Sequence, residues 1–189
     1  MKYLEDEGRN VELRENRKVF LLFYMIGFFV GIIYANTISR DYVDAIGIFN
    51  EYFLNQYVQT EINEKGYIWY LVRLRILPLC VMFGIGLTRV GKAAVFGFLL
   101  WTGFLSGLIV SSAIIKMGMI GTILCIVAFF PQMIFYFGAY AILLWSIYQF
   151  PKSKWTSTKI MMILLITCIG IITECYVNPM LLKMFLKTD

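Results

Sequence analysis

The chain has 189 residues, of which 60% are hydrophobic and 15% are charged, with a net charge of +5 and a mean hydropathy of +0.74. Soluble domains contain about 25% charged residues, so too few polar side chains remain here to cover the surface of a water-soluble enzyme. The same numbers exclude a disordered chain. We therefore expect one compact all-α integral membrane domain over residues 1–189.

The missing residue types narrow the range of functions. No histidine is present, which removes histidine-based acid–base catalysis and most zinc and haem sites. The four cysteines are widely spaced in apolar runs and form no C-x-x-C pair. We therefore predict a protein that is not an enzyme and has no cofactor or metal. The excess of basic residues indicates orientation in membrane lipids rather than nucleic-acid binding.

Apolar runs predict about five transmembrane helices, because a helix needs roughly 20 apolar residues to cross a bilayer. In chain order the runs are 19–35, 67–88, 93–115, 117–150 and 160–177, and the last ends near Pro179.

The fourth run is too long for one upright helix and short for two full ones, and Pro131 divides it. Proline removes a backbone donor and disfavours helical geometry just before it. We therefore predict either a broken helix at Pro131 or a re-entrant half-helix followed by a span. Gln132 either satisfies backbone groups that the proline frees or lies at a polar vestibule.

The distribution of basic residues predicts the orientation. With a cytoplasmic N-terminus and five crossings, five Lys and Arg residues in segment 1–18, two in the 89–92 turn and three in the 152–159 loop lie inside, against five outside. The positive-inside rule therefore favours a multi-pass cell-membrane protein with its N-terminus in the cytoplasm.

The segment 36–66 between the first two spans is acidic, and its large apolar residues recur every three or four positions. This pattern predicts an extracytoplasmic amphipathic helix. We interpret its acidic residues Asp41, Asp44 and Glu51 as a partner-docking surface. The alternative is a solvated loop helix without a partner.

Small residues four positions apart let helices approach closely in lipid. The residues that follow this spacing are Gly27, Gly31, Gly103, Gly107 and Ser111. We predict that they pack helices inside the bundle, and the alternative is contact in a homo-oligomer.

The spacing Gly86-x4-Gly91-Lys92 matches that of a nucleotide-binding phosphate loop. However, position 93 is alanine rather than serine or threonine, and no strand precedes the motif. We therefore interpret it as a tight turn between two spans.

Arg73, Arg75 and Glu174 are charges within predicted spans, where charge is expensive and usually finds a partner. In the five-span topology all three lie toward the outer leaflet. We predict that Glu174 pairs with Arg73 or Arg75, and the alternative is that the arginines reach the headgroups.

Four local patterns, in order along nearly the whole chain, resemble the stage II sporulation protein M family of endospore-forming bacteria. They are GFFVGIIYANTI with IFNEYFLNQY, GKAAVFGFLLWTGFLSGLI with KMGMIGTIL, FFPQMIFYFGAY, and ITECYVNPMLLKMF. In the last of these, Glu174 and Pro179 occupy the places of the family's closing E-x-(Y/F)-x-x-P motif.

The resemblance implies a non-enzymatic membrane scaffold at the septal membrane that works with peptidoglycan-hydrolase partners during engulfment. It carries over no catalytic residues. The alternative is a transporter or permease-like subunit, because the break at Pro131 and the buried charges are features that transporters use at substrate sites.

Overall fold

The computed structural model of the chain describes the backbone of residues 2–37, 64–150 and 155–188, and the side chains of 18–37, 66–150 and 155–184. This described part contains helices and no strand. The helices are α1 over Lys2–Thr37, α2 over Glu64–Gly86, α3 over Gly91–Tyr148, α4 over Ser157–Ile172 and α5 over Asn178–Thr188. A π-helical turn, Thr173–Val177, joins α4 to α5. Most of the predicted helix in 36–66, with Asp41, Asp44 and Glu51, lies outside the described residues.

Four stretches of the described helices are long and apolar enough to cross a membrane. They are Lys18–Thr37, Gly66–Gly86, Gly91–Tyr148 and Ser157–Met184. Their outward faces carry large exposed apolar side chains, such as Phe137 at 78% and Trp69 at 70% exposure. Soluble proteins rarely expose such continuous apolar surface, so these are the helices of a multi-pass protein embedded in a membrane.

The chain divides into two compact units. The first combines α1 with residues 96–112 of α3. The second contains α2, the remainder of α3, α4, the π-helical turn and α5.

Glycines form the contact between the two helices of the first unit. Gly27 lies against the backbone of Leu100, and Gly31 against the backbone of Phe104. From the other side, Gly103 lies against Tyr24 and Gly107 against Phe28. Residues later in α1 therefore contact residues later in α3, which means that the two helices run parallel. A Cβ atom at any of these glycines would overlap a backbone carbonyl oxygen of the neighbouring helix.

Ser106 and Ser111 are two of the polar residues in this contact segment. The hydroxyl groups of Tyr24 and Ser106 are 2.9 Å apart and add a hydrogen bond between the helices. Ser111 is buried further along the same segment. The four predicted glycines thus face a helix of the same chain.

The 58-residue helix α3 is a hairpin of two arms, 91–117 and 119–148. Gly118 separates them with φ +59° and ψ −136°, a backbone conformation that favours glycine. Gly121 lies against the carbonyl group of Ala113, whereas eight residues of continuous helix would span about 12 Å. At the far ends of the arms, the Lys92 ammonium group lies 5.6 Å from the centroid of the Tyr148 ring.

The predicted break at Pro131 is wrong, because the second arm remains helical through this residue. Apolar helices tolerate proline where nearby groups supply replacement hydrogen bonds. The carbonyl group that loses its donor is that of Val127, four residues before the proline. Gln132 Nε2 donates instead to the carbonyl oxygen of Ala128 at 2.7 Å, so the predicted role of Gln132 in satisfying the freed group is not what the structure has. The break in this apolar stretch lies at Gly118 instead.

The predicted helix end at Pro179 also needs correction. The α-helix ends at Ile172, and the helical path continues through the π-helical turn into α5, with Pro179 in the first turn of α5. There the Asn178 N–H donates to Thr173 O in the wider π pattern. Proline has no N–H to add to this pattern, and Pro179 is the second residue of α5, just after the π-helical turn.

Helix directions in the second unit follow from the contacting pairs. The Phe83 and Trp155 rings are 4.7 Å apart, and Arg75 bonds to Glu174, so α2 runs opposite to the path from α4 to α5. Gly170 lies against Tyr136, and Gly138 lies near Ile166, so the second arm of α3 also runs opposite to α4.

Replacing Gly103 with alanine should lower the free energy of unfolding by about 1–3 kcal/mol, since the new methyl group would force α1 and α3 apart. The matched control is Gly97→Ala in the same helix, where a Cβ atom would meet nothing within 4 Å. Thermal unfolding in detergent measures both variants. Equal loss of stability in the two would contradict the close helix contact.

Candidate functional site

Arg75, Tyr136 and Glu174 form a polar cluster among apolar helices, which we call the charge cluster. They come from three elements of the second unit: α2, the second arm of α3 and the π-helical turn. The cluster therefore joins parts of the sequence separated by 61 and 38 residues and determines how these helices meet.

Glu174 accepts hydrogen bonds from both partners. Arg75 Nε donates to Glu174 Oε2 at 2.9 Å, and Arg75 Nη2 donates to Glu174 Oε1. The Tyr136 hydroxyl group donates to Glu174 Oε2 at 2.5 Å. A two-point bond between a guanidinium and a carboxylate group is among the strongest side-chain contacts and fixes orientation as well as distance.

The Tyr136 ring makes a second contact with the same arginine. Arg75 Cζ lies 4.6 Å from the ring centroid, a cation–π geometry. The guanidinium group therefore meets a carboxylate in one direction and an aromatic face in another. This arrangement replaces part of the hydration that an arginine loses when it enters a membrane.

Apolar side chains surround the cluster. Leu71, Ile171 and Cys175 are buried with Tyr136, and partly buried residues pack against them. The Glu174 side chain is 8% exposed, whereas that of Arg75 is 33% exposed. The low local polarity strengthens the ion pair and makes its disruption costly.

The π-helical turn helps to place Glu174. It widens the helix between α4 and α5 by bonding Asn178 N–H to Thr173 O, and Glu174 and Cys175 are buried within it. Single π-helical turns inside α-helices occur often at functional sites. Here the turn directs the carboxylate group toward α2 and the second arm of α3.

Arg75, rather than Arg73, is the partner of Glu174. At about 100° per residue, the two arginines point about 200° apart around α2. Arg73 is exposed. The predicted pairing with Glu174 therefore applies to Arg75 and not to Arg73.

Gln132 lies one helical turn before Tyr136 and is 2% exposed. Its Nε2 atom is bonded, but its Oε1 atom has no hydrogen-bond partner among the described residues, and neither has Asn178 Oδ1. Unsatisfied buried acceptors are uncommon in native proteins. These two oxygens are available to a water molecule or another donor.

The role of Tyr136 in the charge cluster was not predicted from the sequence. The sequence feature that points to this role is a tyrosine in a long uncharged run, because its hydroxyl group needs a hydrogen-bond acceptor when it is buried. The bond between Tyr24 and Ser106 was not predicted either, because a single serine in an apolar run has no distinctive spacing.

Comparison of the chain with protein-family models, curated proteins and solved structures gives no match.

Replacing Arg75 with glutamine should destabilise the protein by about 3 kcal/mol or more, because the Glu174 carboxylate stays buried without its counter-charge. The control Arg73→Gln removes an equal charge two residues away and should change stability little. Thermal unfolding in detergent at neutral pH compares them. Similar losses in the two variants would count against the ion pair.

Proposed function

We propose that the chain crosses the membrane five times with its N-terminus in the cytoplasm, the two arms of α3 being separate spans. Helix directions support this topology, because consecutive crossings must alternate. The first span runs parallel to residues 96–112, and the two arms of α3 run antiparallel to each other. The second arm and α4 also run antiparallel, as a fourth and a fifth crossing must.

We propose that this protein is a non-enzymatic membrane scaffold similar to stage II sporulation protein M. In this role it works at the bacterial septal membrane with peptidoglycan-hydrolase partners during engulfment. The segment 36–66 then lies on the extracytoplasmic side. The motifs quoted above support this proposal, and the use of the membrane-embedded charges supports a structural rather than a chemical role.

The charge cluster is the observation that carries the proposal. Both oxygens of the Glu174 carboxylate accept hydrogen bonds from Arg75 or Tyr136. A carboxylate held this way locks three helical elements together. A scaffold needs such a fixed bundle in order to present an outer segment in a constant position.

The acidic outer segment provides the docking surface in this proposal. Segment 36–66 contains five acidic and two basic residues. Charge complementarity favours fast and specific encounter with a basic partner surface. Asp41, Asp44 and Glu51 are therefore the residues proposed to contact the extracytoplasmic partners.

A transporter or permease-like subunit is the second candidate, and the unpaired oxygens of Gln132 and Asn178 favour it. Transporters place polar groups and interrupted helices near the middle of the membrane to bind substrate. Reaction of Gln132→Cys with a water-soluble thiol reagent separates the candidates. A wet cavity permits labelling, whereas a dry bundle prevents it.

A membrane-impermeant maleimide should label Asp44→Cys in intact cells but should not label Arg89→Cys, both in a background without the four native cysteines. The reason is that the proposal places segment 36–66 outside and the 87–90 turn inside. Labelling of both variants after membrane disruption is the control. Labelling of Arg89→Cys but not of Asp44→Cys in intact cells would show that the orientation is the reverse of the proposed one.

Neutralising the outer acidic surface with Asp41→Asn, Asp44→Asn and Glu51→Gln should reduce recovery of peptidoglycan-hydrolase partners from solubilised sporulating-cell membranes by about tenfold, because long-range attraction is lost. The matched control neutralises Glu5, Asp6 and Glu7, which the proposal places in the cytoplasm. Unchanged recovery with the outer variant would overturn the docking surface. An equal loss with the control would do so too.

A further inference from the structure

A cavity of about 390 Å³ lies at the turn between α2 and α3, and two basic side chains line it. These are Arg89 and Lys92, and the lining also includes Thr88 and the apolar residues Ile147 and Phe150. The volume falls in the range of roughly 300–1,000 Å³ that is typical of ligand sites. All of the lining residues belong to the second unit.

Close packing builds this cavity into the fold. A Cβ atom at Gly86 or Gly91 would crowd the Ile147 side chain, so two residues without side chains bring the turn against the end of the α3 hairpin. Backbone bonds hold the turn, with Thr88 N–H donating to Ile85 O at 2.9 Å and Gly91 N–H to Thr88 O at 3.2 Å. The Lys92 ammonium group lies over the Tyr148 ring at the same end.

The stretch of chain that forms the cavity contains no acidic residue that could neutralise Arg89 and Lys92. Between Glu64 and Glu174 the sequence contains no aspartate or glutamate. Glu174 is the one acidic residue among the side chains that the structure describes, and it bonds to Arg75. Arg89 and Lys92 are both exposed. Two neighbouring cations at a membrane surface attract an anion from outside this stretch.

We propose that this cavity binds the phosphate group of an anionic phospholipid. The turn joins the ends of two apolar, membrane-length helices, where a bilayer places its phosphates. Leu87 and Val90 are 48% and 61% exposed beside the basic residues and offer apolar contact to the rest of the lipid. Basic pockets between transmembrane helices are a known form of anionic lipid site.

The same residues explain the phosphate-loop spacing found in the sequence. Gly86 and Gly91 lie against the Ile147 side chain at the turn, and Lys92 supplies charge to the cavity. Alanine at position 93 leaves no hydroxyl group for the magnesium ion of a nucleotide. The chemistry therefore fits a headgroup phosphate better than a nucleotide.

The test uses the full chain in neutral detergent and follows its thermal stabilisation by added phosphatidylglycerol, phosphatidylcholine or inorganic phosphate. Phosphatidylglycerol should stabilise the wild-type protein most. A basic residue near a membrane surface contributes roughly a fivefold change in affinity for anionic lipid. Arg89→Gln and Lys92→Gln should therefore weaken phosphatidylglycerol binding about fivefold each, and the double variant about thirtyfold.

Two further variants separate charge at the cavity from charge in general. Arg89→Lys with Lys92→Arg keeps both charges and should bind phosphatidylglycerol nearly as the wild type does. Lys116→Gln with Lys183→Gln removes an equal net charge elsewhere and should leave binding unchanged. The single cavity variants provide the comparison if the double variant does not fold.

Three results would overturn the proposal. The first is equal phosphatidylglycerol affinity in the wild type and both single cavity variants. The second is equal weakening by the Lys116 and Lys183 control. The third is stabilisation by inorganic phosphate that matches that of phosphatidylglycerol and depends on the same two residues, because the ligand would then be a free anion.

Discussion

A buried charge in an apolar bundle must find its counter-charge, and this requirement organises the second unit around Glu174. Its carboxylate group binds the guanidinium group of Arg75 and the hydroxyl group of Tyr136, so α2, the second arm of α3 and the π-helical turn must meet at one point. Burial makes the loss of either charge costly, since the remaining one would stay in a poorly solvating environment. In lipid, the apolar faces of helices alone discriminate only weakly between alternative packing arrangements. The ion pair thus selects one of these arrangements.

Glycines provide the second constraint, because they let backbones approach where side chains would keep them apart. In the first unit, Gly27, Gly31, Gly103 and Gly107 bring two parallel helices into backbone contact. In the second, Gly118 reverses the chain, and Gly86 and Gly91 tighten the turn that frames the basic cavity. The same residue type therefore produces close helix packing, chain reversal and the tight turn beside the basic cavity. The scaffold proposal depends on this rigidity, which would keep an outer segment at a fixed place relative to the membrane.

Composition and spacing predicted much of this arrangement. Run lengths indicated the helices, small residues at four-residue spacing indicated the contact in the first unit, and the rarity of membrane charges singled out Arg75 and Glu174. Two local rules failed at prolines, because the apolar helix continues through Pro131 and the helical path continues through Pro179 after the π-helical turn. The choice of Arg75 over Arg73 and the role of Tyr136 depend on helix rotation, which a run of apolar residues leaves undetermined.

A double-mutant cycle on Arg75→Gln and Glu174→Gln, followed by reversible unfolding in detergent micelles, tests most directly whether the ion pair determines how the helices meet. Each single variant leaves one charge unpaired, whereas the double variant leaves none, so we predict a favourable coupling energy of about 1–3 kcal/mol. The double variant should then lose less stability than the two single losses added together. Additive losses, with a coupling energy near zero, would contradict the central role of this pair.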